Sequence, residues 1–256
     1  MKANFKNLVI SGLLALAIPL ATSCNEEQLN TNIESPEFVS VLEVSDDGTS
    51  VINSTALQNV FIETSDLTES ELESLSKMKE EEKLARDVYY ALYEKWDNTV
   101  FSRISNAENN HMNAIISLLK YYNSSDTIVS EVGIFYSAEV QSLYNELVAA
   151  GSVSIEEALK TGAMIEEMDI KDLRDAIGLT TNINIIMVFE NLERGSRNHL
   201  RAFHNQLTSL GIVYTPVYIS QEDYDQIVNS PIEKGKQYKG NGQGKKRNGG
   251  NGRHHG

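Results

Sequence analysis

A glutamate and a histidine three residues apart, Glu108 and His111, form the best candidate for a metal-binding motif in this sequence. Residues three apart on a helix lie on the same face, one turn from each other, so this carboxylate and this imidazole can reach one cation. The motif is short and also occurs by chance on solvated helices. Its place in the surrounding pattern therefore decides whether it is functional.

The Glu108 and His111 pair lies in the middle of an otherwise apolar heptad pattern. Apolar residues recur at alternating spacings of three and four on both sides of it, which predicts a helix whose seam faces a bundle core. Three other stretches of the chain repeat this design, with polar residues only near the middle. The four seams span 75–96, 101–122, 155–176 and 185–206, and their central polar residues are Glu82, Glu108 with His111, Glu166 with Asp169, and Ser196 with His199.

The central polar residues of the four seams should meet in one layer, because antiparallel helices of similar length bring their midpoints together. Burial of several ionisable groups without a counter-ion is costly, and a bound cation removes most of that cost. The alternative is that some of these side chains face solvent or pair through hydrogen bonds. We predict a metal centre with the candidate ligands Glu82, Glu108, His111, Glu166, Asp169 and His199.

Helix-capping signals predict an all-α fold made of two helix pairs and a long crossover. Thr68 and Glu71 match a capping box at the start of the first helix. A turn at residues 97–98 leads directly into the second helix, so these two helices should be antiparallel neighbours. The connection over 123–153 is about as long as a bundle helix and carries a short helix capped by Ser137, so it can return the chain to the other end. We expect helices over about 68–96, 99–122, 137–150, 154–177, 182–211 and 221–228.

The composition changes on either side of this helical region. Residues 25–66 mix polar and apolar residues without a helical period, and we expect a partly disordered tether with short strands near 39–44 and 51–52. Residues 231–256 are rich in Gly, Asn and Lys and lack apolar groups, which predicts a disordered basic tail. The helical domain should therefore occupy residues 67–230.

The charge of the chain is also unevenly distributed. The 256 residues carry a formal net charge of -14, although residues 234–256 hold seven Lys or Arg and no Asp or Glu. The helical region is therefore strongly acidic, which argues against nucleic acid as a partner and weakly favours the attraction of cations. The sequence leaves open whether the domain forms a homodimer.

The first residues of the chain have the composition of an export signal. Lys2 and Lys6 precede an apolar run over 8–21 that is too short for a comfortable membrane span, and small residues then lead into Cys24. This arrangement over 1–24 resembles a bacterial lipoprotein signal. The resemblance implies cleavage before the cysteine, lipidation of it, and a protein exported from the cytoplasm and lipid-anchored to a membrane of the bacterial cell envelope. The alternative is an ordinary secretory signal with an accidental cysteine.

Two helices, a long crossover and two more helices have the connectivity of a ferritin-like domain, which the chain resembles over about 67–227. The stretches 80–89, 164–170 and 194–200 together resemble a bacterial and archaeal family of ferritin-like domains of unknown function. More distantly, the first of these stretches is similar to the first helix of rubrerythrins. In that comparison, Glu166 and Asp169 lie where rubrerythrins carry two carboxylates on the third helix.

The rubrerythrin resemblance implies a di-metal oxidoreductase that acts on peroxide, dioxygen or ferrous iron. Two iron ions fit a mixed set of carboxylate and imidazole ligands, and manganese fits nearly as well. Glu82 would then be a terminal ligand, while Glu108 and Glu166 would bridge the two ions. His111 and His199 would each complete the coordination of one ion.

One position departs from the pattern of a full di-iron site. Such sites carry Glu-x-x-His twice, whereas the second copy here is Ser196-x-x-His199. Serine is a poor iron ligand beside a carboxylate, so Glu193, one turn earlier, or Asp169 would have to take its place. The alternative function is a non-enzymatic bundle that binds metal or a partner, with an incomplete or absent di-metal site.

Overall fold

The computed structural model of the chain describes residues 42–44, 50–52, 57, 59–124 and 129–234. The predicted signal with Cys24, most of the tether and nearly all of the basic tail lie outside these residues. Two short strands, β1 (Leu42–Val44) and β2 (Ser50–Ile52), pair antiparallel with Leu42 opposite Ile52. The helices are α1 (Glu69–Trp96), α2 (Thr99–Tyr121), α3 (Ala138–Gly151), α4 (Ile155–Ile177), α5 (Ile183–Ser209) and α6 (Gln221–Asn229).

Four long helices, α1, α2, α4 and α5, form a bundle of two antiparallel pairs. Along α1 and α2 the contacts run in opposite directions: Ser105 Oγ donates to the carbonyl of Arg86, and His111 contacts Glu82 one turn earlier on α1. The crossover between α2 and α4 carries the short helix α3, as the sequence predicts. The predicted all-α fold with ferritin-like connectivity is confirmed.

The ends of α1 follow the predicted capping chemistry. The Thr68 side chain accepts from the backbone N–H of Glu71, and the Glu71 carboxylate accepts from the N–H of Thr68. Asp97 ends α1 in the left-handed conformation, and Asn98 caps α2. The short turn between these caps makes α1 and α2 antiparallel neighbours.

A buried ion pair ties the crossover to α1. Lys83 Nζ lies 2.5 Å from Asp87 Oδ2 and also donates to the carbonyls of Glu131 and Ile134. The other end of this network is the backbone N–H of Gly133, which donates to Asp87 at 2.9 Å. Gly133 has a φ of 74°, a conformation that favours glycine. The crossover is thereby held against the helix that carries Glu82.

The core of the bundle consists of two apolar clusters. One is rich in aromatic residues and includes Tyr89, Phe101 and Phe203. The other is mainly aliphatic and includes Leu118 and Leu192. The polar residues of the four seams lie between these clusters, so the two apolar regions exclude water from both ends of the polar layer.

Part of the predicted tether packs on the bundle. Leu57 and Phe61 are buried in the aliphatic cluster. The side chain of Asn184 accepts from the N–H of Ile62 at 3.0 Å and donates to its carbonyl at 2.8 Å. None of the helices in the described part of the chain is both long and apolar enough to cross a membrane.

Candidate metal centre

All six predicted ligands lie in the polar layer, and every one of them is buried. Their positions follow from the heptad pattern, since each occupies a core-facing position near the middle of its helix. Asp169 has the highest exposure of the set at 8%, whereas the other five are at most 2% exposed. The set comprises Glu82 on α1, Glu108 and His111 on α2, Glu166 and Asp169 on α4, and His199 on α5.

Glu108 lies between the two histidines and uses a different oxygen toward each of them. His111 Nδ1 lies 2.7 Å from Glu108 Oε2, and His199 Nδ1 lies 2.8 Å from Glu108 Oε1. The two imidazole rings stack with their centroids 5.3 Å apart. Ligand atoms of these three residues all lie within 4.8 Å of one another, which is close enough to hold a metal ion.

Each histidine also has a second carboxylate beside it. His111 Nδ1 lies 3.1 Å from Glu82 Oε2, and His199 Nδ1 lies 3.4 Å from Glu166 Oε2. The layer therefore contains two similar groups, which we call half-sites. The first half-site is Glu82, His111 and one oxygen of Glu108; the second is Glu166, His199 and the other oxygen of Glu108.

Many polar atoms of the half-sites are buried without a hydrogen-bond partner. Both oxygens of Glu108 and both ring nitrogens of His199 belong to this group, although they approach each other closely. Their distances are short, but their directions do not suit a hydrogen bond. Buried polar groups in proteins are almost always satisfied, so such a cluster requires an explanation. Carboxylate and imidazole atoms that are buried, close together and without hydrogen-bond partners fit a bound cation.

The phenol of Tyr89 holds the carboxylate of the second half-site. Its hydroxyl donates to Glu166 Oε1 at 2.6 Å and also lies 3.2 Å from the carbonyl of Gly162. The Tyr89 ring packs against Phe203, with 5.4 Å between the centroids. The remaining oxygen of Glu166 is directed toward His199. Glu166 is thus assigned to one half-site by its contacts, and its bridging of two ions stays a prediction.

The ionisable groups in the polar layer strongly shift one another's pKa values. Burial raises the pKa of Glu82 to about 8. Burial lowers the pKa of His111, but Glu108 and Glu82 have the larger combined effect and raise it to about 9. Burial raises the pKa of Glu108, yet His199 and His111 together bring it below its ordinary value. The carboxylates therefore favour positive charge in this layer, whether it comes from protons or from a metal cation.

Asp169 adds a fourth carboxylate to the layer. Its Oδ2 atom is buried without a hydrogen-bond partner. Burial raises the pKa of Asp169 well above its ordinary value, and Glu82, Glu166 and Glu108 raise it further. Asp169 therefore adds to the negative charge of the layer, although the group whose ligand atoms lie within 4.8 Å of one another consists of Glu108, His111 and His199.

Ser196 and Glu193 do not provide the missing carboxylate. Ser196 Oγ donates to the carbonyl of Leu192, one turn earlier in the same helix, at 3.3 Å. The suggestion that Glu193 reaches into the layer is wrong, because its carboxylate lies at 2.7 Å from Arg174 and 2.6 Å from Arg197. Asp169 is the carboxylate that the structure places in the layer beyond the three glutamates.

An arginine cluster on α5 was not predicted from the sequence. Arg197 and Arg201 donate to the Glu233 carboxylate, and Arg194 donates to the Glu233 carbonyl. Asn198 pairs with both the N–H and the carbonyl of Glu233. Burial raises the pKa of Glu233, but Arg197 and Arg201 bring it down to about 2. The spacing of these arginines on one helix face was visible in the sequence, but their partner 32 or more residues away was not.

Fold and site together define a four-helix bundle with a buried carboxylate and histidine cluster. The family described as uncharacterized protein domain (DUF2202) matches residues 71–231, and the chain belongs to this family. The chain is 46% identical over 170 residues to the uncharacterized protein MJ0754 of Methanocaldococcus jannaschii. The aligned region covers 66% of this chain and 92% of that protein. The crystal structure of the hypothetical protein MJ0754 superposes with a TM-score of 0.66 at 45% identity, over 68% of this chain and 99% of that one.

Proposed function

We propose that this protein binds two divalent metal cations in the polar layer of its bundle. The observation that carries the proposal is the position of Glu108, whose two oxygens each face a different histidine. A carboxylate that spans two ions is arranged in this way. Each ion would then also have its own second carboxylate, from Glu82 in one half-site and from Glu166 in the other.

The charge of the ligand set supports two ions over one. Glu82, Glu108, Glu166 and Asp169 carry four negative charges when ionised, and the histidines bind metal as neutral imidazoles. Two divalent cations balance these charges. A single divalent ion would leave two buried carboxylates in need of protons or other partners, which is costly in an apolar surrounding.

The ligand types favour iron or manganese, and we propose a rubrerythrin-like oxidoreductase that acts on peroxide, dioxygen or ferrous iron. Mixed carboxylate and imidazole ligands suit both metals. Bound iron or manganese would supply the change of oxidation state. The chain itself would hold the ions through Glu108, fix Glu166 through the Tyr89 hydrogen bond, and exclude bulk water through the two apolar clusters.

A non-enzymatic metal-binding or partner-binding protein is the second candidate. It is favoured by Ser196, whose hydroxyl bonds to its own helix where a full di-iron site has the glutamate of its second Glu-x-x-His. A centre with one bridge could hold metal without turnover. Metal-loaded protein should be assayed for loss of hydrogen peroxide and, separately, for oxidation of ferrous iron in air, with Glu108→Gln as the control. Activity above that control supports the oxidoreductase, and loaded protein without activity supports the second candidate.

We also propose that the protein is lipid-anchored in the bacterial cell envelope through Cys24. The proposal rests on the signal-like sequence over 1–24. Cys24→Ala should move the protein from the detergent phase to the aqueous phase in detergent partition. A variant that still partitions with detergent would contradict lipidation at this residue.

A further inference from the structure

The six predicted ligands are all buried, and Asp169 is the most exposed of them. The other five predicted ligands are at most 2% exposed, whereas Asp169 is 8% exposed. Asp169 is also the only one of them that lies one turn from an acidic surface residue on its own helix, Asp172. An ion that reaches the layer from solvent would therefore meet Asp169 first.

A surface lysine joins two carboxylates just outside Asp169. Lys77 Nζ on α1 lies 2.8 Å from Asp172 Oδ2 and 3.0 Å from Glu81 Oε1. Lys171 Nζ lies farther away, at 3.6 Å from Asp172 Oδ1. The Lys77 side chain is 49% exposed, while Asp172 and Glu81 are 28% and 22% exposed. These contacts show that the acidic faces of α1 and α4 meet at this point.

The inner oxygens of this group are unsatisfied. Glu81 Oε2 and Asp169 Oδ2 are both buried without a hydrogen-bond partner. Glu81 acts electrostatically on Asp169, which in turn feels Glu82 and Glu166 of the two half-sites. The side chains of Lys77, Asp172 and Glu81 are 49%, 28% and 22% exposed, and Asp169 as a whole residue is 8% exposed, so three carboxylates lie inward of the Lys77 ammonium.

We propose that Asp172, Glu81 and Asp169 form an access route by which divalent cations reach the polar layer, with Lys77 as a counter-ion that the incoming cation displaces. This inference rests on the proposed function. Carboxylates lining a narrow path raise the local concentration of cations and increase their rate of arrival.

The route predicts a change in the rate of loading without a change in the final amount bound. Stopped-flow absorbance of Co²⁺ binding to metal-free full-length protein measures both quantities. We expect Glu81→Gln and Asp172→Asn each to slow loading by about tenfold, the lower end of typical electrostatic steering, with an unchanged endpoint. Lys77→Gln should accelerate loading, because it removes the competing positive charge. These effects should shrink as salt is added.

Asp175→Asn is the matched control, because Asp175 lies on the same helix, is 64% exposed and pairs with Lys171. It should load at the wild-type rate. Wild-type protein that binds no Co²⁺ would overturn the proposed function itself. Normal binding with wild-type loading rates in both Glu81→Gln and Asp172→Asn would overturn the route alone. Circular dichroism of each variant shows whether it is folded, and Asp172 is exposed enough for its variant to test the route if Glu81→Gln does not fold.

Discussion

Replacement of single glutamates by glutamine tests the two half-sites with little change in shape. Glutamine keeps the size of the side chain and one acceptor oxygen, but it lacks the negative charge that a metal ligand needs. Glu82→Gln should impair the first half-site and Glu166→Gln the second. Glu108→Gln should impair both, because its two oxygens serve different histidines. The expected metal content is therefore one ion per chain in Glu82→Gln, one in Glu166→Gln and none in Glu108→Gln, against two in the wild type.

The size of the effect follows from the number of ligands at each half-site. Loss of even an outer partner of a ligand lowers metal affinity by about 10–100-fold, and loss of a direct ligand should cost at least as much. With free metal at about 100 times the Kd, one occupied half-site stabilises the fold by about 2.7 kcal/mol. A 100-fold weaker Kd reduces this contribution to about 0.4 kcal/mol. For a domain of this size, the metal-induced rise in Tm from one half-site should fall from roughly 5–11 °C to about 1–2 °C.

Thermal unfolding followed by circular dichroism, with and without added Mn²⁺, measures this difference. Glu94→Gln is the matched control, because Glu94 is exposed on the same helix as Glu82. It should show the full metal-induced rise in Tm. Two separate half-sites are refuted if Glu82→Gln and Glu166→Gln both retain the full metal-induced rise in Tm. One ion in the wild type that only Glu108→Gln removes would indicate a single site made of Glu108 and the two histidines.

Three further predictions concern the surroundings of the site. Tyr89→Phe removes the hydrogen bond to Glu166, so isothermal titration should show one of two Mn²⁺ ions bound about 10–100-fold more weakly; equal affinities would contradict a positioning role. Gly162→Ala places a methyl group 2.5 Å from the Phe203 ring, so urea unfolding should show a loss of about 1–3 kcal/mol, and an unchanged midpoint would contradict this close packing. Because the pKa of Glu233 is lowered to about 2 in the folded protein, its contribution to docking is complete above its ordinary value of 4.5 and is lost as the pH falls from there toward 2. Amide hydrogen exchange around residues 230–234, corrected for intrinsic rates, should accelerate over that range in the wild type and be fast throughout in Glu233→Gln; identical profiles would contradict the role of this carboxylate.

The fold was predictable from the sequence because its signals are local. The apolar spacing of each seam gives the buried face of one helix, and caps such as Thr68 and Asn182 give its start. Ser154 and Glu157 have the spacing of a capping box that forms only in part: the Ser154 side chain accepts from the Glu157 N–H, while the Glu157 carboxylate bonds to Lys160. When a long side chain has several partners within reach, the one it bonds to cannot be predicted from sequence spacing alone.

The burial of the six candidate ligands was predictable, but the pairing of their side chains was not. Heptad position places Glu82 and His199 on buried helix faces, and their positions near the middle of antiparallel helices bring them into one layer. The division of Glu108 between two histidines depends on side-chain rotamers in four helices. Sequence spacing allowed Glu193 to point inward, but Arg174 and Arg197 hold it at the surface. The contact with Arg174 joins two helices, so no local pattern reports it, whereas Glu193 and Arg197 are four apart on α5, a spacing that the sequence shows.

Elemental analysis of the wild-type protein tests the central claim most directly. The protein should be purified without chelators and without a His tag, then analysed for all transition metals relative to protein concentration. We predict two equivalents of a divalent metal, iron or manganese, after purification or after loading without oxygen, and none in Glu108→Gln prepared in parallel. Wild-type protein that stays metal-free after loading, or metal that is equally abundant in Glu108→Gln, would contradict the proposed centre.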